Sequence, residues 1–249
     1  DNVITYIGVV GYGVYLWGAQ LELGSTATTY QPVATTASTI FASQFKYNLK
    51  DPRNLDAAFR QVFNGGWTYS KQGATPNGTN GYADTKFNPS SNLVATSQSS
   101  SIYSRTNSNF GANPNCDFSG ASSGVGNFTV IAGLNYSGIN AFTRYGKVTD
   151  VRIMTVGQRL DGYFIGSRTG STTLKLWRSN TLLGTDNNNE TGICDIAPYI
   201  GAENVNGVAT YFTNRQYCFA HAGDGLTDTE ASAMYTAVQS YQNLMARAV

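Results

Sequence analysis

Ionisable chemistry is scarce in this chain. The 249 residues hold one histidine, three cysteines and four glutamates, and charged residues make up 12% of the total. A soluble protein usually carries about 25%. A lone histidine without a Cys-x-x-Cys pair excludes a zinc centre built from the usual ligands. A Ser-His-Asp arrangement would have to use His221. That residue stands at a strand end before a Gly turn, where a histidine reads as structural. Cys116, Cys194 and Cys218 are too few and too far apart for a disulfide framework. They read as buried free thiols, and their odd number fits assembly in a reducing cytoplasm.

Charge of either sign is in short supply too. The formal net charge is +1 and no run of like charges occurs, so the chain lacks the basic field that phosphate backbones require. No nucleic-acid partner is expected. Neither a Gly-Lys-Ser/Thr phosphate loop nor a Gly-x-Gly-x-x-Gly turn is present. One apolar stretch, Ile4 to Leu21, is 18 residues long and uncharged. Gly8, Gly11, Gly13 and Gly18 interrupt it, and Val, Ile and Tyr dominate the rest. That is strand chemistry rather than a membrane helix, so no membrane insertion is expected.

What replaces charge is Gly, Ser, Thr and Asn on a chain that is still 41% hydrophobic. Such a composition suits short strands joined by polar turns and is too apolar for disorder. From Gly65 to about Gly223, turn clusters recur every 8–12 residues with alternating segments between them. The spacing predicts an antiparallel β-sandwich. In Thr173-Leu-Lys-Leu-Trp-Arg178, Leu174 and Leu176 point to one face while Lys175 and Trp177 point to the other. Ser179-Asn180 then turns the chain into Leu182-Leu183 as a hairpin partner.

Two helices are expected. Asp51-Pro-Arg-Asn-Leu-Asp-Ala-Ala-Phe-Arg-Gln-Val-Phe-Asn64 has a cap at Asp51, a tolerated Pro52, and Leu55, Phe59, Val62 and Phe63 on one face. At the other end, Thr227-Asp-Thr-Glu230 fits a capping box. Ala231, Met234, Tyr235, Val238, Tyr241 and Met245 follow at helical spacing. The helix is expected over about 228–246, packed on the sandwich. The domain reading is therefore a strand-rich segment over 1–33, a linker over 34–50 and a sandwich with its terminal helix over 51–249.

Four segments carry a family resemblance. Gly78-Thr-Asn-Gly-Tyr-Ala-Asp-Thr85, Ser101-Ile-Tyr-Ser-Arg-Thr-Asn107, Tyr199-Ile-Gly-Ala202 and Phe219-Ala-His-Ala-Gly-Asp-Gly-Leu-Thr-Asp-Thr-Glu230 resemble the concanavalin A-like, laminin-G-type jelly rolls of bacteriophage virion proteins. The resemblance covers roughly 60–249. Val14-Tyr-Leu-Trp-Gly-Ala-Gln-Leu-Glu22 with Thr28-Thr-Tyr30 and Pro32 resembles the closing strand of phage carbohydrate-binding-like jelly rolls. It implies that residues 1–33 end a preceding module or serve assembly, with Tyr15, Trp17, Leu21 and Tyr30 as contact residues. The alternative is an edge strand of the same sandwich.

The resemblance implies a non-enzymatic virion protein, such as a tail fibre, baseplate part or capsid appendage. It would be assembled in the bacterial cytoplasm, homotrimeric by analogy, in contact with other virion proteins and attached to host surface glycan. Tyr103, Arg105 and Asn107, and likewise Tyr136, Asn140, Arg144 and Tyr145, bring aromatic plates and hydroxyl-binding groups together. Tyr103, Arg105, Asn107 and Tyr145 are the expected carbohydrate contacts. Two alternatives remain: a decoration protein without ligand, and a glycan-degrading enzyme. The Glu-x-Asp-x-x-Glu strand of concanavalin A-like glucanases is absent, and Glu203 is the best single carboxylate for an acid role. No cofactor is expected. The oxygen-rich stretch Asp186-Asn-Asn-Asn-Glu190 leaves room for calcium.

Overall fold

A computed structural model describes residues 45–46, 49, 60–108, 115–123, 126–133, 139–146, 153–157, 159–190 and 192–249. All belong to one unit, Ala37–Val249. In chain order the first elements are β1 (Val62–Asn64), β2 (Trp67–Ser70), β3 (Gly73–Pro76), β4 (Tyr82–Asp84), the one-turn helix α1 (Pro89–Asn92) and β5 (Gln98–Ser104). Then come β6 (Asn115–Ser122), β7 (Gly126–Gly133), β8 (Ile139–Gly146), β9 (Ile153–Val156) and β10 (Gly162–Gly170). The remaining strands are β11 (Thr173–Arg178), β12 (Thr181–Asp186), β13 (Tyr199–Ile200), β14 (Glu203–Val205), β15 (Val208–Thr210) and β16 (Tyr217–Gly223). Helix α2 (Asp228–Leu244) follows.

The strands form two sheets. One is nine-stranded, in the order β1-β4-β13-β6-β7-β8-β9, with β14 joined to β6 and β15 to β14. The other is seven-stranded, β12-β11-β10-β5-β16-β3-β2. Their facing sides enclose one core, in which Ala83, Ile200, Phe118, Phe128 and Tyr145 of the larger sheet meet Ile102, Phe164, Leu174, Leu176 and Tyr217 of the smaller. This is the β-sandwich that the turn spacing and alternation predicted, consistent with the jelly roll that the resemblance implied.

The smaller sheet is covered on its other side as well. Tyr103, Tyr163, Ile165, Trp177 and Cys218 form a second buried cluster with Ala231 and Val238 of α2, and Met234 and Tyr235 pack against it. Leu174 and Leu176 face the core as expected. Trp177, on the opposite face, lies beneath the helix, which explains how a strand can be apolar on both sides. Lys175 reaches Asp228 in the first helical turn at 2.6 Å and so ties the helix start to the sheet. The capping box is formed: Thr227 Oγ1 accepts from Glu230 N–H, and Glu230 Oε2 accepts from Thr227 N–H. Ser179 and Asn180 both adopt left-handed φ, 45° and 65°, as a tight β11–β12 turn requires.

The first expected helix is corrected where it is described. Val62–Asn64 is a strand paired with β4, in register Val62↔Asp84, Phe63↔Ala83 and Asn64↔Tyr82. Phe63 packs on the core while Val62 is 44% exposed, an alternation with period two. Sheet pairing outweighs the weak helical spacing of the local sequence. The turn that follows needs Gly65 at φ +69°, where a Cβ would strike the Asn80 carbonyl. Arg60 and Gln61 are irregular, and residues 51–59 of that expected helix lie outside the described residues.

Candidate functional site

The core residues of the larger sheet fix which way their neighbours face. Phe63, Ala83, Ile200 and Phe118 follow one another from strand to strand in one row, and all belong to the core. The next row therefore lies on the opposite side of the sheet. It runs Val62, Asp84, Tyr199, Ser119, position 129 and Arg144. Glu203, at the start of β14, is also paired with Ser119. This side thus carries two carboxylates, an arginine and an aromatic ring in one line. The α2 helix packs on the other sheet.

Three groupings occur along this line. Tyr82, in the adjoining row, stacks on Tyr199 with ring centroids 4.5 Å apart and planes at 27°. Tyr199 is the buried member and Tyr82 the half-exposed one. Burial, and next the Asp84 charge, hold the Tyr199 hydroxyl above its usual range, so it stays protonated. Asp84 accepts from Lys86 Nζ at 2.6 Å and from Lys86 N–H at 2.9 Å. Glu203 Oε1 accepts from Ser119 Oγ at 2.9 Å. Burial raises the Glu203 pKa, while the Ser119 bond and the positive Arg144 hold it down. No second carboxylate acts on Glu203 among the described residues, in contrast to the paired acids of a glycosidase.

The residues first expected to touch sugar are placed otherwise. Tyr103 is fully buried in β5 rather than in a loop. Its hydroxyl donates to Gln239 Oε1 at 3.0 Å and accepts from Val249 N–H at 2.9 Å, so it anchors the segment after α2. Arg105 Nε donates to the Arg247 carbonyl at 2.7 Å and Nη1 to Gln216 Oε1 at 2.9 Å. Asn107 is exposed, but its Oδ1 accepts from Leu160 N–H at 2.7 Å. Tyr145 is fully buried between the sheets, with its hydroxyl held by Ser100 Oγ at 2.6 Å and donating to the Gly166 carbonyl at 2.9 Å. Neither buried tyrosine offers a ring face to a ligand. Tyr15, Trp17, Leu21, Tyr30, Tyr136 and the Asn140 side chain lie outside what is described.

Of the earlier candidates, Arg144 and Glu203 come together on the outer side of the larger sheet. Tyr82, Asp84 and Tyr199 complete the line, although they were not singled out. Strand alternation within Gly81-Tyr-Ala-Asp84 hinted at their facing, but their partners lie more than a hundred residues away.

Other chemistry is not assembled. Glu190 is buried against Gly146 and its Oε1 accepts from Gly192 N–H at 2.5 Å, so the 186–190 stretch does not present it outward. No group of three His, Cys, Asp or Glu side chains among the described residues is placed to hold a metal. One Gly-x-Ser-x-Gly spacing occurs, Gly120-Ala-Ser-Ser-Gly124. It joins β6 to its antiparallel partner β7, so the strand-to-helix elbow that exposes a nucleophile is missing. His221 lies in β16 opposite Ser101, and burial lowers its pKa to about 4. The three cysteines are free and buried.

Away from this side, two buried arginines brace the sandwich. Arg215 Nε donates to Asp117 at 2.6 Å, and its other nitrogens donate to the carbonyls of Ser108 and Asn115, at 2.9 and 3.1 Å. Tyr217 donates to the same Asp117 oxygen. Burial pushes the Asp117 carboxyl up, and Arg215 and Tyr217 pull it back. Arg168 is fully buried and donates to the carbonyls of Ser171 and Tyr145, both at 3.0 Å.

No protein-family profile matches this chain, and no curated protein matches it. Solved structures are similar in shape. The NanB sialidase from Streptococcus pneumoniae aligns at 14% identity over 59% of this chain and 26% of its own, with a TM-score of 0.41. Domain 4 of AbnA, a GH43 extracellular arabinanase from Geobacillus stearothermophilus solved with arabinotriose, aligns at 10% identity over 71% of this chain and 88% of its own, TM-score 0.46. The receptor-binding domain of botulinum neurotoxin C/D mosaic serotype aligns at 11% identity over 71% of this chain and 46% of its own, TM-score 0.48. The chain spans about a quarter of NanB's length and under half of the toxin chain's. At this identity and overlap the likeness concerns architecture alone.

Proposed function

We propose that the protein is a non-enzymatic glycan-binding component of a bacteriophage virion appendage. One observation carries the glycan reading: on the outer side of the larger sheet the half-exposed Tyr82 ring stacks on the buried Tyr199, with half-exposed Asp84 on the same face of β4 and Glu203 and Arg144 partly exposed further along, while Ser119 between them is fully buried. An aromatic ring offers an apolar plate to a sugar face, and carboxylate and hydroxyl groups accept from or donate to its hydroxyls. Among the described residues no second carboxylate acts on Glu203, which supports binding over hydrolysis. The virion reading is supported by the sequence resemblance of residues 60–249 and of 14–32 to phage jelly rolls. A single such site binds weakly, so several copies on one appendage would raise avidity by about 10²–10⁴.

The test is a glycan array probed with the full chain, followed by solution affinity of Tyr82→Ala on any hit. Selective binding that falls by roughly 3–10-fold in the variant is expected, the worth of one aromatic contact. Binding unaffected by this change would move the site elsewhere. Release of reducing sugar from a bound glycan, lost in Glu203→Gln, would favour the enzyme instead.

A further inference from the structure

On that glycan-binding reading, we infer that the protein holds one sugar residue at a time, by its apolar face on Tyr82 and by two adjacent hydroxyls on the Asp84–Lys86 pair. The accessible ground is small. Along β4 and the turn after it the odd-numbered residues from 81 to 89 are buried, while Tyr82, Asp84 and Lys86 reach the surface. On this side the two neighbours of β4 differ in access. In β1, Val62 opposite Asp84 is exposed and Asn64 opposite Tyr82 is half-exposed. In the other direction, Tyr199 of β13 and Ser119 of β6 are buried, at 8% and 0% exposure. Buried Ser119 thus separates this patch from Glu203 and Arg144. The patch spans two strands about 4.8 Å apart and, from Tyr82 to Asp84, about 7 Å along one of them, ground for one sugar ring.

The turn after β4 selects the hydroxyl pattern. Asp84 Oδ1 accepts from Lys86 N–H at 2.9 Å, and Asp84 Oδ2 accepts from Lys86 Nζ at 2.6 Å. To close this turn Lys86 adopts a left-handed φ of 57°, which residues with a side chain rarely take. Backbone of this kind concentrates at ligand sites, where the strain fixes a group in place. Here it fixes an acceptor and a donor side by side, at the spacing of a hydrogen-bonded pair. Adjacent hydroxyls on a sugar ring have a matching spacing and serve both at once. One donates to a remaining lone pair of Asp84, and the next accepts from Lys86 Nζ, which carries three protons. A lone hydroxyl engages one of the two at a time. Both side chains are reachable, with 15% of Asp84 and 55% of Lys86 exposed. The Tyr82 ring, held against Tyr199 at 4.5 Å, supplies the apolar plate on the same side of β4.

The experiment is an NMR titration of the full chain with the methyl glycosides of glucose, galactose, mannose, N-acetylglucosamine, fucose and rhamnose. Trisaccharides ending in each sugar, and monodeoxy analogues of any glycoside that binds, complete the set. One glycoside is expected to bind, and its trisaccharide to bind within about 3-fold of it, since the added rings find no further site. Removing the hydroxyl that meets Asp84 should cost roughly 10-fold on the native chain and under about 2-fold on Asp84→Asn, a coupling that a merely structural Asp84 would not show. Lys86→Gly keeps the left-handed backbone and removes the ammonium, and should weaken the parent glycoside about 3–10-fold with an unchanged circular dichroism spectrum. A trisaccharide bound more than about 10-fold tighter than its glycoside overturns the single-residue footprint. Deoxy analogues that all bind as well as their parent overturn the hydroxyl pair. Either result, or a hit on a broad glycan array with no glycoside bound, leaves the glycan reading standing. No binding to any probe here and no hit on the array overturns both.

Discussion

Tyr103 shows how one side chain can look like a ligand contact and be a brace. Its neighbours in sequence, Arg105 and Asn107, have the chemistry of a sugar site, but all three are spent on internal bonds. Tyr103→Phe removes the hydroxyl's links to Gln239 and Val249. We expect a loss of about 1–2 kcal/mol in urea unfolding and no change in glycan binding. Asp117 and Arg215 matter more. Both are fully buried, and removing one partner leaves the other charge uncompensated. Arg215→Met should cost about 3–5 kcal/mol by the same measurement, and the charge-free pair Asp117→Asn with Arg215→Met should cost less. His221 sets a pH dependence. Its folded pKa of about 4 lies below the unfolded 6.5, so the folded state prefers the neutral ring. Its contribution is fully present above pH 6.5 and is lost as pH falls towards 4, by up to about 3 kcal/mol. Thermal melts from pH 7 to 4 should show this fall, and His221→Gln should flatten it.

At the scale of elements, what was legible followed local rules. The α2 helix was readable because Thr227, Glu230 and the apolar spacing after them are all contained in one segment. Thr227→Ala should therefore lower stability by about 1 kcal/mol, read from the unfolding midpoint. The β11–β12 hairpin was readable for the same reason. β5 was not read as a central buried strand, because Gln98-Ser-Ser-Ser101 reads as a polar stretch. In the fold the hydroxyls of Ser99, Ser100 and Ser101 each have a partner: the Asp224 carbonyl, Tyr145 Oη and Tyr163 Oη. Those partners lie 45 to 125 residues away. The same limit hid the row proposed for binding. Alternation places Asp84 and Tyr82 on one side of β4, but only the β13 and β6 pairings bring Tyr199, Ser119 and Glu203 beside them.

Among the described residues the molecule is a sandwich with one sheet covered by a helix and the other carrying a polar, aromatic line. If residues 1–46 serve assembly, the full chain should elute as a defined oligomer, with a trimer expected from light scattering. A monomer at all concentrations would remove the appendage reading's oligomeric part and leave the proposed glycan contact untouched. The most direct test of the central claim is hydrogen exchange on the full chain with and without a saturating glycan. The account predicts slowed exchange in β4, β13, β14 and β6, the strands that carry Tyr82, Asp84, Tyr199, Glu203 and Ser119. Protection confined to β5, β11 or α2, with those strands unchanged, would contradict it.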